Sequence, residues 1–246
     1  MQRKQILALT LLVVIVLIIV EPAFAGPGGY VAKGLFKTWW GKILLFALLL
    51  IFLPLILYIK FREHIAVRKN TKSLSKLGLV NKDFSWLNLE KNVRNVYSRV
   101  HVAWEDENME NVSRYVSSWY WQNQQLVVLD KWKDENLKNI CRLQEIGKIK
   151  PLHLEITDHE ALEGSRIAFS ITGNIEDFLV ERTTGKIVYG RRGYQEEEKI
   201  WILEYTDGQW LLDDIREGNL SLAFAKMSNS IPVNLPKPIQ TNPSTK

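Results

Sequence analysis

Two uncharged apolar stretches, Ile6–Val20 and Ile43–Ile59, lie within the first 59 residues, and nothing comparable occurs in the rest of the chain. They decide where the remainder must fold before any residue in it is read. Arg3 and Lys4 precede the first stretch, Pro22 breaks it, and Ala23-Phe24-Ala25 places small residues at cleavage spacing. That is the pattern of a secretory signal over residues 1–25. Its 15-residue core is short against the roughly 20 apolar residues that a bilayer span needs. The alternative is an uncleaved first transmembrane helix.

The second stretch reads as a transmembrane helix over residues 43–59. Trp39, Trp40 and Tyr58 supply interfacial aromatics, and Lys42 and Lys60 close its ends. Pro54 is expected to kink this helix without preventing a span. A short spacer, residues 26–42 with Gly26, Gly28 and Gly29, joins the two stretches.

Charge sets the orientation. Lys33, Lys37 and Lys42 lie between the stretches, whereas Lys60, Arg62, Arg68, Lys69, Lys72, Lys76 and Lys82 follow the second, against Glu63 alone. The positive-inside rule then places the C-terminal part in the cytoplasm of a bacterial-type inner (plasma) membrane, as a single-pass protein. An uncleaved hairpin gives the same side. Cys141, the sole cysteine, can form no disulfide within the chain, in keeping with that compartment.

The formal net charge of +5 hides a division. Residues 1–59 carry +4 and residues 60–82, a basic juxtamembrane linker, carry +6, which leaves −5 for the remainder. An acidic domain argues against a nucleic-acid partner. The basic stretch suits anionic lipid headgroups, with Lys60, Arg62, Arg68, Lys69, Lys72 and Lys76 as candidate contacts.

Residues 83–225 read as one domain with a helical half and a strand half. Asp83 or Ser85 can cap a helix in which Trp86, Leu89, Val93, Val96, Tyr97 and Val100 share a face. Asp106 can cap a short second helix bearing Met109, Val112, Tyr115 and Val116. A third runs from Ser118 to Lys133 with Trp119, Leu126, Leu129 and Trp132. Strands follow at Arg142–Thr157 (interrupted near Gly147 and Pro151), Arg166–Gly173, Glu176–Glu181, Ile187–Gly190, Lys199–Tyr205 and Gln209–Ile215. Thr183-Thr184-Gly185 and Asp207-Gly208 supply hairpin turns. Helices before a meander of about five strands imply an α+β fold with helices on one face of a curved antiparallel sheet. The tail from residue 226, with Pro232, Pro236, Pro238 and Pro243, reads as disordered.

These stretches include Ala103-Trp104-Glu105-Asp106, Asp177-Phe178, Thr184-Gly185-Lys186-Ile187-Val188-Tyr189-Gly190, Trp201 and Trp210-Leu211-Leu212-Asp213-Asp214-Ile215. Over roughly residues 80–220 the pattern resembles the Tim forty-four-like domain family. A signal-like segment, a glycine-bearing spacer and one transmembrane helix ahead of the domain also resemble its bacterial members. The resemblance implies a cone of the nuclear-transport-factor-two/cystatin-like kind, with three helices wrapped on a curved sheet. It also implies a membrane-docked adaptor: the mitochondrial relative tethers an import motor and binds acidic lipid. After Trp201 the chain departs from the family, with Ile202, Leu203, Glu204 and Tyr205 where Thr, Phe and Arg are usual.

No nucleophile-elbow, zincin or Walker pattern is present, and Cys141 lacks zinc-site spacing. No cofactor is expected, and the chain reads as a binder and not an enzyme. His153 and His159 read as a strand position and a solvated turn. Glu196-Glu197-Glu198 reads as a solvated acidic face. Tyr97, Trp104, Trp119, Phe169, Phe178, Trp201 and Trp210 are the candidates for an apolar pocket, set against ordinary aromatic core. The main expectation is an adaptor contacting a protein partner and anionic lipid. The alternative is a ligand-binding or enzymatic member of the nuclear-transport-factor-two-like fold.

Overall fold

A computed structural model describes residues 38–233. The signal-like stretch, the spacer up to residue 37 and the tail beyond Val233 lie outside the described residues. The chain divides into Met1–Tyr58 and Ile59–Lys246.

Helix α1 runs Trp39–Leu77 and passes through Pro54. Its first half is long and apolar enough to cross a membrane, and its apolar side chains are not covered by protein. Residues 60–77, expected as a linker, continue the helix. Glu63, Ala66, Asn70, Leu74 and Leu77 are buried at spacings of three and four, so this half packs as one face. Leu74 and Leu77 join the main core beside Phe84. The domain therefore begins ahead of residue 83, and the basic side chains Lys60, Arg68, Lys69, Lys72 and Lys76 occupy the exposed side. Arg62 is half-buried, and its Nε has no partner.

Helix α2, Trp86–Glu105, buries Leu89, Val93, Val96, Tyr97, Val100 and His101. Asp106 closes this helix and does not open the next. Asn108 does that, accepting from the Glu110 amide at 3.1 Å ahead of a 3-10 turn, Met109–Val112. Val116 lies beyond that turn and bridges Leu212 in parallel. The third helical run is built from α3 (Ser118–Asn123), a π-helical segment (Gln124–Leu129) and α4 (Asp130–Asp134). Ser117 caps it by accepting from the Tyr120 amide at 3.2 Å.

The sheet holds β1 (Leu137–Glu155), β2 (Arg166–Glu181), β3 (Ile187–Gly190), β4 (Gln195–Thr206) and β5 (Gln209–Glu217). All pairings are antiparallel in the order β1-β2-β4-β5, with β3 also on β2. Mixed helices before an antiparallel sheet make the class α+β. The two strands expected on either side of Gly173 are one strand, β2. The strands β3 and β4 lie end to end along its edge, opposite Phe178–Val180 and Arg166–Ile175. Register shifts in β1 fall at Leu143/Glu145, Ile146/Ile149 and Pro151/His153, the last two where Gly147 and Pro151 foretold them.

Alternation gives the sheet two working faces. Phe169, Ile171, Trp201, Leu203 and Leu212 meet α2 in the main core. Leu152, Ala168 and Ile200 form a smaller core with Ala66 of α1 and Ala225 of α5 (Ser221–Lys226). Each large side chain so buried contributes about 1.5–3 kcal/mol. The tail does not leave the domain at residue 226. Ser230 pairs with β1, its carbonyl accepting from Ile156 at 2.7 Å and its amide donating to Leu154 at 3.0 Å.

Candidate functional site

Toward one end of the α2 face the packing is incomplete, and a cavity of about 400 Å³ remains between helices and sheet. Its residues follow from periodicity. Tyr97, Val100, His101 and Trp104 recur at helical spacing on α2. Asn139 and Cys141 alternate on β1, Ile175, Asp177 and Leu179 on β2, and Glu197, Lys199 and Trp201 on β4. Tyr120, Gln124 and Trp132 of the third helical run close another side.

The wall built by α2 is a stack. The His101 ring lies parallel to Trp201, with centroids 5.9 Å apart and planes at 10°. Tyr97 touches both, at 4.2 Å from His101 and 4.6 Å from Trp201. Gly173 makes room for it: a Cβ there would stand 2.2 Å from the Tyr97 hydroxyl. His101 Nδ1 lies 2.8 Å from the Tyr97 carbonyl. A carbonyl only accepts, so Nδ1 carries the proton and Nε2 presents a lone pair. Burial lowers the His101 pKa below its ordinary 6.5, against smaller opposing effects of the Tyr97 carbonyl and Asp177. The ring is neutral at pH 7.

In this cavity the Asn139 carboxamide and His101 Nε2 lack protein hydrogen-bond partners. Asn139 is 6 % exposed and His101 8 %, yet no described residue hydrogen-bonds to the Asn139 amide or to His101 Nε2. Buried polar groups are normally paired, so such groups facing an open volume point to water or a ligand. The carboxylates stand nearby. Burial, then Asp177 and Glu217, raise the Glu197 pKa, while Lys199 opposes them. Burial, with Asp177, Glu105 and Glu197, pushes the Cys141 thiol up to about 12. It is a neutral thiol and not an activated nucleophile. Tyr97 and Tyr120 are likewise raised by burial.

The opposite face carries a second polar cluster, which borders a cavity of about 460 Å³ but whose charges are paired with one another. Lys150 of β1 reaches Glu63 of α1 at 3.3 Å and Glu198 of β4 at 2.9 Å. Ser221 donates to Glu63 at 2.7 Å, and Ser170 donates to Glu198. Burial lowers the Lys150 pKa, but its bond to Glu198 and the charges of Glu198 and Glu63 outweigh that, and the net direction is up. For Glu198 burial raises, and Ser170 and Lys150 outweigh it, so the net direction is down. Both shifts agree that the pair is favourable.

Of the seven aromatic candidates, Tyr97, Trp104, Phe178 and Trp201 line the cavity. Phe169 is fully buried core, and Trp210 is core with its indole donating to the Asp83 carbonyl at 3.0 Å. Trp119, 63 % exposed, belongs to neither. The acidic run is not a common solvated face: Glu197 enters the cavity, Glu198 the ion pair, and Glu196 stays exposed. Strand alternation carries that signal, once β4 is seen to begin at Gln195 and not at Lys199. His101 was legible four residues after Tyr97 and three before Trp104 on the apolar face. Asn139 lay ahead of the expected strand start. His153 is half-buried on β1 with Nδ1 unpartnered, and His159 is exposed. Among the described residues no three metal-ligating side chains gather.

The sequence matches no family model and no curated protein. Among solved structures, the intermembrane space region of the chloroplast protein ARC6 is similar, with a TM-score of 0.35 and 7 % identity, covering 52 % of this chain and 92 % of that one.

Proposed function

We propose that the chain is a membrane-tethered binding protein whose folded domain takes up a small, partly apolar molecule in the α2–sheet cavity. The observation that carries this reading is Asn139, more than nine-tenths buried and without a hydrogen-bond partner, with His101 Nε2 likewise unbonded, beside about 400 Å³ of open volume. That volume lies within the range of small-molecule sites, and aromatic walls with a few convergent polar groups are their usual lining. A cone of the nuclear-transport-factor-two kind is the fold this reading expects. The reading assigns binding and no catalytic step.

The test is ligand-observed NMR on the full chain in nanodiscs with a panel of small aromatic fragments. Binding should vanish in Asn139→Trp, which fills the volume. Fragments that bind both proteins equally, or neither, would overturn the reading.

The adaptor reading suggested by the Tim forty-four-like pattern has a different surface in its favour. Trp119, Leu126 and Val127 are 63 %, 67 % and 59 % exposed within one helical run. Crosslinking in native membranes should then lose a reproducible protein partner when all three become Ser. The exposed lysines and Arg68 of α1 would add contact with anionic lipid, read as weaker vesicle binding after charge removal and at higher salt.

A further inference from the structure

We infer that the ligand of this cavity is an amphipathic amine, with an aromatic or short apolar body between the tryptophans and a cationic nitrogen at Asp177 and Glu197. The inference rests on the cavity reading above and deepens it.

The lining carries Asp177, Glu197 and Asp214 against Lys199. Two of these charges are already satisfied. Arg216 holds Asp214 at 2.6 Å, and Glu217 holds Lys199 at 3.0 Å. Glu197 has Lys199 only at 4.0 Å, and Asp177 has no ion-pair partner among the described residues. The edge of the cavity therefore holds two carboxylates, exposed Asp177 and half-buried Glu197, that repel each other. An anionic ligand would add to that repulsion. A neutral one would strip water from both and return nothing to them. A cation meets both, and the charge-assisted bonds it makes are the stronger kind.

The remaining polar atoms agree. Neutral His101 offers an acceptor at Nε2, and Asn139 offers a carboxamide oxygen, so N–H donors of an ammonium find partners at both. Trp104 and Trp132, half-buried with ring centroids 6.0 Å apart, offer aromatic surface at the cavity, which attracts cations and accommodates rings. The acidic groups and the unpartnered buried amide are independent observations, and they point to the same chemistry.

The experiment uses three matched probes on the full chain in nanodiscs: 2-phenylethylamine, 2-phenylethanol and 3-phenylpropionate, titrated by tryptophan fluorescence. The amine should bind about tenfold more tightly than the alcohol, and the carboxylate should not bind measurably. In the double variant Asp177→Asn, Glu197→Gln the amine should fall to the level of the alcohol, while the alcohol is unchanged. Near-UV circular dichroism checks that this variant keeps its packing. Equal binding of amine and alcohol to the natural chain overturns the charge inference and leaves the cavity reading standing. So does an amine preference that survives the double variant. If no probe binds, and Asn139→Trp changes nothing, the cavity reading falls and this inference with it.

Discussion

On one face of the sheet Lys150 meets Glu63 and Glu198, and two serine hydroxyls complete the carboxylates. On the other face Asn139 and His101 are buried residues whose carboxamide and Nε2 make no hydrogen bond to protein and open onto the cavity. The same strands supply both: Glu197 faces one way and Glu198 the other. Polar groups that hold a fold together come with their partners. Polar groups built to hold something else are left waiting, and the fold bears the cost.

The sharpest test of that contrast is to remove one partner on each side. Lys150→Met should cost about 2–3 kcal/mol, since it leaves buried Glu63 with only the Ser221 hydroxyl and the more distant Lys60 at 3.9 Å. Denaturant unfolding of the full chain would measure it, and a loss under about 1 kcal/mol would break the comparison at its firm side. Overfilling the cavity face should come next. Gly173→Val drives a side chain into the Tyr97 hydroxyl and should cost about 1–3 kcal/mol, with the Tyr97–Trp201 near-UV signal altered. Asn139→Leu should do least, within about 0.5 kcal/mol of the natural chain in either direction, because no partner is lost. A large loss there would mean that Asn139 is structural.

Acid separates the two faces along another axis. His101 has a lowered folded pKa, so the unfolded chain binds its proton first. Its share of stability is full above pH 6.5 and declines as pH falls from 6.5 toward the lowered value. Glu198 is also lowered, and its share is full above pH 4.5 and lost below that. Stability should therefore fall in two steps as the medium is acidified. His153, also lowered by burial, shares the upper step, so His101→Gln should shrink that step and leave the lower one, and an unchanged upper step would assign it to His153.

Much of this was legible in the residues, for reasons that differ by element. Asp207-Gly208 marked its hairpin because both positions adopt positive φ, 52° and 74°. The apolar spacing of α2 was clear because its partner face is apolar. The docked half of α1 was not, because much of what it buries is polar: Glu63 through an ion pair, and Asn70 through its amide on the Pro151 carbonyl at 3.0 Å. A helix face of that kind gives no hydrophobic period. Gly173 suggested the end of a strand because glycine weakens a strand interior. Here it keeps space for Tyr97 inside a continuous strand. The cavity was half visible. Its aromatics stood out by type, whereas Asn139 and Glu197 are ordinary residues until the strand ends are known.

The burial of Leu74, Leu77 and Glu63 bears on how this protein can be released from its anchor. Many tethered domains can be shed by a cut in the stalk, which frees a working soluble form. Here a protease that cuts between residues 63 and 77 would carry off the Glu63 carboxylate opposite Lys150 and, beyond residue 74, the fully buried Leu74 as well. Such a cut would not set the domain loose; it would begin its destruction. The apolar half of α1 and the integrity of the domain are joined through one stretch of helix, so cleavage inside it costs the fold.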